Sequence, residues 1–422
     1  MSVIYERLSQ TLRRRSSVTG LGVLLLLLYA GWIAYQWQRD RLYDFNLYYI
    51  AAAGLRDGVD VYDLARDYSG ENAAAWAELA EAYGVEHYAP PYRYPPLTAQ
   101  LVLPLAYLDD RIAGTLWLLL SGLAFAASAW LMGKVSHAPQ GPALALGLML
   151  VFVPALTTLH AGQVNGFVLL ALTAGYWGLE RRNDLAAGIG IAVAALLKLV
   201  PAALLLYLFW RKQWRAAFIA LAAAALLMLT APITFSPGTL SAYWRNFFVM
   251  GEPGTLFAMA PNQSLNGLWA RLLGGYVADD EAIYRIYLLS ALAVIAATLA
   301  LCWPMRRLPA WWRHEFALIV CAINLITPYA WYHQLALLFI PLYIVTEQLL
   351  ADRRLPALAA VLALLALTNL HGLLWHSFES SRWLTNFPLA LNLTLAGILA
   401  QQIVAERRVF AAMPARAVEQ RS

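Results

Sequence analysis

The chain alternates long apolar runs with short polar breaks over almost its whole length. Val18 to Trp37, Ala113 to Met132 and Tyr284 to Trp303 are typical runs. As helix, at about 1.5 Å per residue, each is long enough to cross a hydrocarbon core of roughly 30 Å. Repeated along the chain, such runs predict an all-α polytopic membrane protein, with about 10–13 membrane helices, some of them partial. The first run is too long for a cleaved leader, and no small-residue cleavage site precedes the polar segment after it.

The breaks organise the rest. A loop from about Gln38 to Arg93 carries two amphipathic, helix-compatible pieces, Leu47 to Leu55 and Asn72 to Tyr83, rich in Tyr and Trp. Such pieces lie flat on a membrane face. Tyr92-Arg93-Tyr94-Pro95-Pro96 then starts a helix, because proline suits a first turn. Four apolar segments follow, Leu97–Leu108, Ala113–Met132, Leu144–Leu156 and Gly166–Leu179. The basic clusters on either side require an odd number of crossings, so one of the four is partial. Leu97–Leu108 is a candidate, since its rise is only about 18 Å.

Leu185 to Trp210 is a single apolar run broken by Lys198-Leu199-Val200-Pro201, with Arg181-Arg182 before it and Arg211-Lys212 after it. A re-entrant hairpin with Lys198 near its tip keeps both clusters on one side, each arm reaching about 20 Å. Ala216 to Pro232 crosses next, and a second external loop spans about Ile233 to Glu281. Crossings near 284–303, 315–328, 334–349 and 355–372 and a last helix near 385–404 complete a single integral-membrane domain of residues 1–422. No internal repeat is evident.

Composition agrees with the pattern. The 422 residues are 61% hydrophobic and 13% charged, whereas a soluble domain is nearer half apolar and a quarter charged. The net charge of +5 does not signal nucleic acid, because the basic residues collect in short loops. Under the positive-inside rule those loops, and both termini, are cytoplasmic, and the two large loops are external. Cys302 and Cys321 fall in apolar runs and read as packing residues. No Walker loop or dinucleotide fingerprint is present, so nucleotide cofactors are not expected. A divalent metal is compatible with the chain, but no ligand cluster calls for one.

Chemistry gathers toward one face. Asp44 lies just beyond the first crossing, among Tyr43, Phe45, Tyr48 and Tyr49. It reads either as a solvated helix-end charge or as a carboxylate in an aromatic-walled pocket. His333, in Thr327-Pro328-Tyr329-Ala330-Trp331-Tyr332-His333-Gln334, sits at a proline-marked helix junction on the same predicted face. Lys198, inside an apolar run, needs an anionic partner or water, and a phosphate is the simplest. Arg93 can meet a phosphate or simply touch lipid head groups. The amides of Gln163 and Asn165, and of Asn262 and Gln263, read equally as helix caps or as binders of sugar hydroxyls. His87, His160, His371 and His376 read as interface or packing residues.

These motifs, taken in order, resemble glycosyltransferase family 87. The residues that carry the likeness are Asp44-Phe45 with Tyr49, Gly58-Val59-Asp60-Val61-Tyr62, Tyr94-Pro95-Pro96, Gly162-Gln163-Val164-Asn165, Lys198-Leu199-Val200-Pro201, Asn262-Gln263-Ser264 and Pro328-Tyr329-Ala330-Trp331-Tyr332-His333. The likeness runs from about Arg39 to Leu350. It implies a GT-C type integral-membrane fold and transfer of a sugar, mannose in the mycobacterial members, from a polyprenyl-phosphate donor at the external face. It implies Asp44 as catalytic base and His333 in the donor site, with Lys198 on the lipid phosphate. Tyr49 and Tyr94 join the four amides as sugar or acceptor contacts. The family element often reads Trp-Asp-His-His, where this chain has Trp331-Tyr332-His333-Gln334.

The residues suit that chemistry on their own. Transfer with inversion needs one base for the acceptor hydroxyl and cations to steady the departing phosphate. The expected partners are the sugar-lipid donor, a lipid or glycan acceptor and membrane lipids. A lipid or solute transporter is the rival class, but transporters place polar groups near the midplane and often repeat between halves.

Overall fold

A computed structural model of the chain describes residues 42–66, 70–88, 92–136, 138, 140–247, 258–274, 280–302, 312–378 and 381–411. The expected first crossing, Val18 to Trp37, lies outside the described residues. Among the described residues every element longer than an isolated bridge is helical. The helices, in chain order, are α1 (Tyr43–Arg56), α2 (Val61–Arg66), α3 (Gly70–Ala82), α4 (Pro96–Val102), α5 (Asp110–Lys134) and α6 (Gly141–Leu150). Next come α7 (Val153–Ala161), α8 (Asn165–Glu180), α9 (Asp184–Leu197), α10 (Ala203–Trp210), α11 (Trp214–Thr234) and α12 (Thr239–Phe247). The last are α13 (Leu265–Leu273), α14 (Asp280–Cys302), α15 (Trp312–Ile326), α16 (Phe339–Ala351), α17 (Leu355–Phe378) and α18 (Phe387–Ala411).

Six described spans are long and apolar enough to cross a membrane, and a seventh arises if α6 and α7 count as one broken span. The chain is thus an all-α, multi-pass membrane protein. Its partial elements have local causes. α4 opens on Pro96, turns at Leu103–Pro104 and is only seven residues long. Another of the four apolar segments, Leu144–Leu156, is divided between α6 and α7 at a bend of 54°. The α6–α7 break at Val151–Phe152 frees backbone groups, and the Asn369 amide satisfies two of them: it donates to the Val151 carbonyl at 2.6 Å and accepts from the Val153 amide at 3.1 Å. α9 stops at Leu197 because Lys198 is extended, with φ −152° and ψ 121°. A single 3₁₀ turn at Val200–Ala202 follows before α10.

Packing divides the chain into two compact units. Among the described residues the first holds 42–131, 155–202 and 215–247, and the second holds 132–154, 203–214 and 258–411. In the first unit α8 and α9 form a tight antiparallel hairpin. A Cβ on Gly190 would stand 2.5 Å from the Gly175 amide nitrogen, so the two backbones nearly touch. Asn183 caps α9 by accepting from the Ala186 amide at 3.0 Å. The Thr98 hydroxyl donates to the Leu197 carbonyl at 2.8 Å, fixing α4 to the end of α9. Gln100 Nε2 donates to the Thr230 and Thr234 hydroxyls at 3.0 and 2.9 Å, fixing α4 to α11.

The second unit is held by buried ion pairs as well as by apolar packing. Three consecutive residues at the start of α15 point to three different helices, as the ~100° turn per residue dictates. Glu315 pairs with Arg211 of α10 at 3.3 Å, the two side chains 0% and 4% exposed, and accepts from the Tyr207 hydroxyl at 2.8 Å. Arg313 pairs with Glu347 of α16, which also accepts from the Ser136 hydroxyl. His314 Nδ1 lies 3.1 Å from Glu406 of α18. Arg407 donates to the carbonyls of Ala300 and Leu301 in the last turn of α14, a C-terminal capping role. Cys302 and Cys321 are buried thiols.

Removing one member of such a pair strands the other in a medium of low dielectric, a loss of about 3–5 kcal/mol. Glu315→Ala is therefore expected to lower the melting temperature of the detergent-purified protein markedly. An unchanged melting temperature would show that the Arg211–Glu315 pair contributes nothing net.

Candidate active site

The site in the first unit is built where α1 begins. Asp44 lies in the first turn of that helix, where the helix dipole favours an anion. The next residue, Phe45, is fully buried, with its ring 5.5 Å from that of Trp117. The Trp117 indole in turn donates to the Gly162 carbonyl at 2.7 Å. Gly162 has φ +70°, and a Cβ there would sit 2.6 Å from Phe45 Cβ and 2.8 Å from Leu42 Cβ. Only glycine permits both the left-handed turn and the approach. The turn lays the following residue, Gln163, against Asp44.

Gln163 is 2% exposed and is the hub of the cluster. Its Oε1 accepts from the hydroxyls of Tyr48 at 2.8 Å and Tyr94 at 3.3 Å, and its Nε2 reaches the Tyr94 hydroxyl at 3.1 Å. Its amide lies close enough to the Asp44 carboxylate to favour the charged form. Two residues on, Asn165 opens α8, and its Oδ1 accepts from Lys198 Nζ at 3.1 Å. Burial raises the Asp44 pKa to about 6, against the opposing pull of the Gln163 amide and the Lys198 charge. The carboxylate is thus poised close to neutrality, in electrostatic reach of a cation. The rings of Tyr48 and Tyr94 meet edge to face at 4.8 Å and form one wall.

An apolar groove of about 660 Å³ opens beside this cluster. Its lining comes from α4, α8, α9 and α11, and it runs along α9 from Leu185 to Leu197, the residue before Lys198. Twelve residues of helix give it a length of about 18 Å. Gln100 and Asn183 supply the polar side chains of an otherwise aliphatic and aromatic surface.

Of the residues singled out in the sequence, Asp44, Gln163, Asn165, Lys198 and Tyr94 thus come together. Tyr49 is buried beside them but donates to the Leu108 carbonyl at 2.7 Å, bracing α1 on the turn after α4. Arg93 is exposed. Neither pair of amides caps its helix. Asn262 and Gln263 belong to the second unit, where they join two of the motifs into one structure. Asn262 Nδ2 donates to the Pro328 carbonyl at 3.1 Å, and its Oδ1 accepts from the Ala330 amide at 3.1 Å. Gln263 Nε2 donates to the carbonyls of Ala260 and Thr385 at 2.6 and 2.8 Å. His333 follows directly, in the 3₁₀ turn Tyr332–Leu338. Among the described residues no group of three or more His, Cys, Asp or Glu side chains is close enough to hold a metal ion. Sequence reasoning passed over Thr98 and Arg271. The second had a signal, as the one charge in the segment Leu265–Leu273.

The profile of glycosyltransferase family 87 matches residues 92–328. The chain belongs to that family. It is a glycosyltransferase, embedded in a membrane by its helices. A polyprenol-phosphate-mannose-dependent alpha-(1-2)-phosphatidylinositol mannoside mannosyltransferase of Mycobacterium tuberculosis is 28% identical to it over 303 residues, 66% of this chain and 67% of that protein. A polyprenol-phosphate-mannose-dependent alpha-(1-2)-phosphatidylinositol pentamannoside mannosyltransferase of the same species is 27% identical over 222 residues, 50% of this chain and 48% of that protein. The family match takes in Gln163, Asn165 and Lys198; His333 lies just past its end, and Asp44 well before its start.

If the Gly162 turn sets the Gln163–Asp44 contact, Gly162→Ala should disable the glycosyltransferase without touching a reacting group. The added methyl meets Cβ atoms that cannot rotate away, so about 1–3 kcal/mol of stability is expected to go with the activity. Wild-type turnover and melting temperature in that variant would show that the turn is free to relax.

Proposed function

We propose that the protein transfers mannose from a polyprenyl-phosphate donor to a lipid or glycan acceptor, with inversion, using Asp44 as base. The observation that carries this reading is the placement of Asp44 and Lys198. One turn, Gln163-Val164-Asn165, holds both, at the end of an apolar groove. A polyprenyl-phosphate sugar needs these parts together. Its tail needs an apolar channel, its phosphate a cation, and the acceptor hydroxyl a base.

In this reading the tail lies along α9 and the phosphate meets Lys198. The leaving group is the lipid phosphate, and the ammonium balances the charge that grows on it as the glycosidic bond breaks. Asp44 takes the proton of the acceptor hydroxyl as that oxygen bonds to the anomeric carbon from the opposite side. A carboxyl with a pKa of about 6 is a stronger base than an ordinary aspartate, yet is ionised at neutral pH. Tyr94 and Gln163 keep the carboxylate oriented. His333 serves the donor, as its family motif implies.

The sidedness follows from charge. Arg181-Arg182 form the turn between α8 and α9, at the end of the hairpin remote from Asn165 and Lys198. With that turn in the cytoplasm, the Asp44 cluster faces the external side.

Asp44→Asn preserves shape and cannot accept a proton. It should cut transfer of radiolabelled mannose from the polyprenyl donor by about 10²–10⁴ while donor binding persists. Near-normal turnover in the purified variant would remove Asp44 as base. The pH profile offers an independent check. The ionised base is lost as pH falls through about 6, so kcat/KM should drop tenfold per unit below that point. Lys198 holds the Asp44 pKa down, so Lys198→Met should shift this acid limb upward in pH and raise the KM for donor. A limb that stays in place would separate the two groups.

A further inference from the structure

Arg271 and His371, both in the second unit, take no part in the chemistry above. Arg271 lies in the last turn of α13 and is 8% exposed. Its Nη1 donates to the carbonyls of Met259 at 3.0 Å and Asn262 at 2.7 Å, and its Nη2 to Asn386 Oδ1 at 2.5 Å. Its Nε is buried and has no acceptor. Among the described residues no carboxylate pairs with it, and burial alone draws its pKa down to about 10. The buried arginines Arg211 and Arg313 each face a glutamate.

His371 is fully buried in α17, one of the membrane-crossing helices. Its ring is stacked between those of Tyr332, at 5.7 Å and 25°, and Phe378, at 5.6 Å and 22°. A kink at Leu374, where φ is −127° and ψ 29°, lies between His371 and Phe378. Neither ring nitrogen has a hydrogen-bond partner. The Arg271 guanidinium acts on this imidazole electrostatically. Tyr332 joins the pair to the His333 turn, and Asn262 joins it to the amide motif.

A buried guanidinium without a counter-charge is costly, and each unbonded polar nitrogen beside it adds to the cost. The aromatic stack would pack equally well around a phenyl ring. An anion rich in acceptor oxygens would supply the missing counter-charge for Arg271 and acceptors for its Nε and for an imidazole N–H.

We propose that Arg271 and His371 form a buried site for the phosphate ester of a membrane lipid. Ionisable groups held inside a membrane protein without a counter-charge mark ligand paths. Phosphate esters are the anions that the proposed donor brings and that phospholipid acceptors also carry. The inference rests on the transferase reading only for that choice of lipids.

The test uses the full-length protein in detergent, with polyprenyl monophosphate and phosphatidylinositol as probes and polyprenol and diacylglycerol as uncharged controls. In wild type, either phosphorylated lipid should raise the melting temperature more than its control does. His371→Phe keeps the stack and removes both nitrogens, and Arg271→Met removes the charge. Each should weaken one phosphorylated lipid by about tenfold and leave the controls within about twofold. Loss for polyprenyl phosphate names the donor as the source, and loss for phosphatidylinositol names the acceptor.

No preferential stabilisation of wild type, or His371→Phe binding both phosphorylated lipids like wild type, overturns the proposal. If Arg271→Met does not fold, the wild-type and His371→Phe measurements still decide. Loss of donor binding in Lys198→Met, with both phosphorylated lipids bound normally by His371→Phe, would refute this site and leave the transferase reading standing. Absence of mannose transfer with lipid binding intact would do the reverse.

Discussion

The contact of one backbone with another at Gly162 is the constraint on which the first unit turns. A helix can bring a carboxylate to its first turn unaided, but it cannot aim a glutamine from a distant segment at that carboxylate. The left-handed glycine does so by letting the chain pass between Leu42 and Phe45 with no side chain in the way. Gln163 then faces Asp44, Asn165 starts α8, and Lys198 closes the ring from the end of α9. Trp117 locks the turn from behind through the Gly162 carbonyl. Residues of α1, of α5 and from the end of α9 thus converge on the stretch 162–165.

The two units manage buried polarity differently. In the second, ions meet ions, and charge is balanced pair by pair at the start of α15. In the site around Asp44, amides stand between the charges, so the carboxylate and the ammonium influence each other at a distance. A direct salt bridge would bury the reactive lone pairs of the carboxylate. The glutamine orients Asp44 while leaving it basic, and the asparagine holds Lys198 by a single acceptor. Both charges therefore stay available to a substrate.

Much of this was legible in the chain, for physical reasons. Apolar run length dictates membrane helices, so the crossings around 113–132, 216–232 and 284–303 fall where hydropathy puts them. Charge parity required one of four apolar segments to be partial without saying which; Leu97–Leu108 stood out by its short rise, and α4 is a seven-residue helix. The break at Lys198 was readable because proline and lysine both oppose an apolar helix there. Periodicity could not show that Arg211, counted among short-loop charges, is buried against Glu315, because the partner lies more than a hundred positions away. Nor could it show that the amides of 262–263 brace backbone instead of capping α13, since caps and braces use the same residue types. His371 looked like any packing histidine, and its unbonded nitrogens emerge only in three dimensions.

The interleaving of the two units bears on how the chain is made. Each unit is assembled from three separated stretches of sequence. The first is fully synthesised once translation passes about residue 251, so its helices can settle early. The second must keep two fragments waiting. Ser136 precedes its partner Glu347 by 211 positions, and Tyr207 precedes Glu315 by 108. The Ser136–Glu347 and Tyr207–Glu315 contacts therefore cannot form until the last third of the chain has begun to be made, so the second unit is completed after the first.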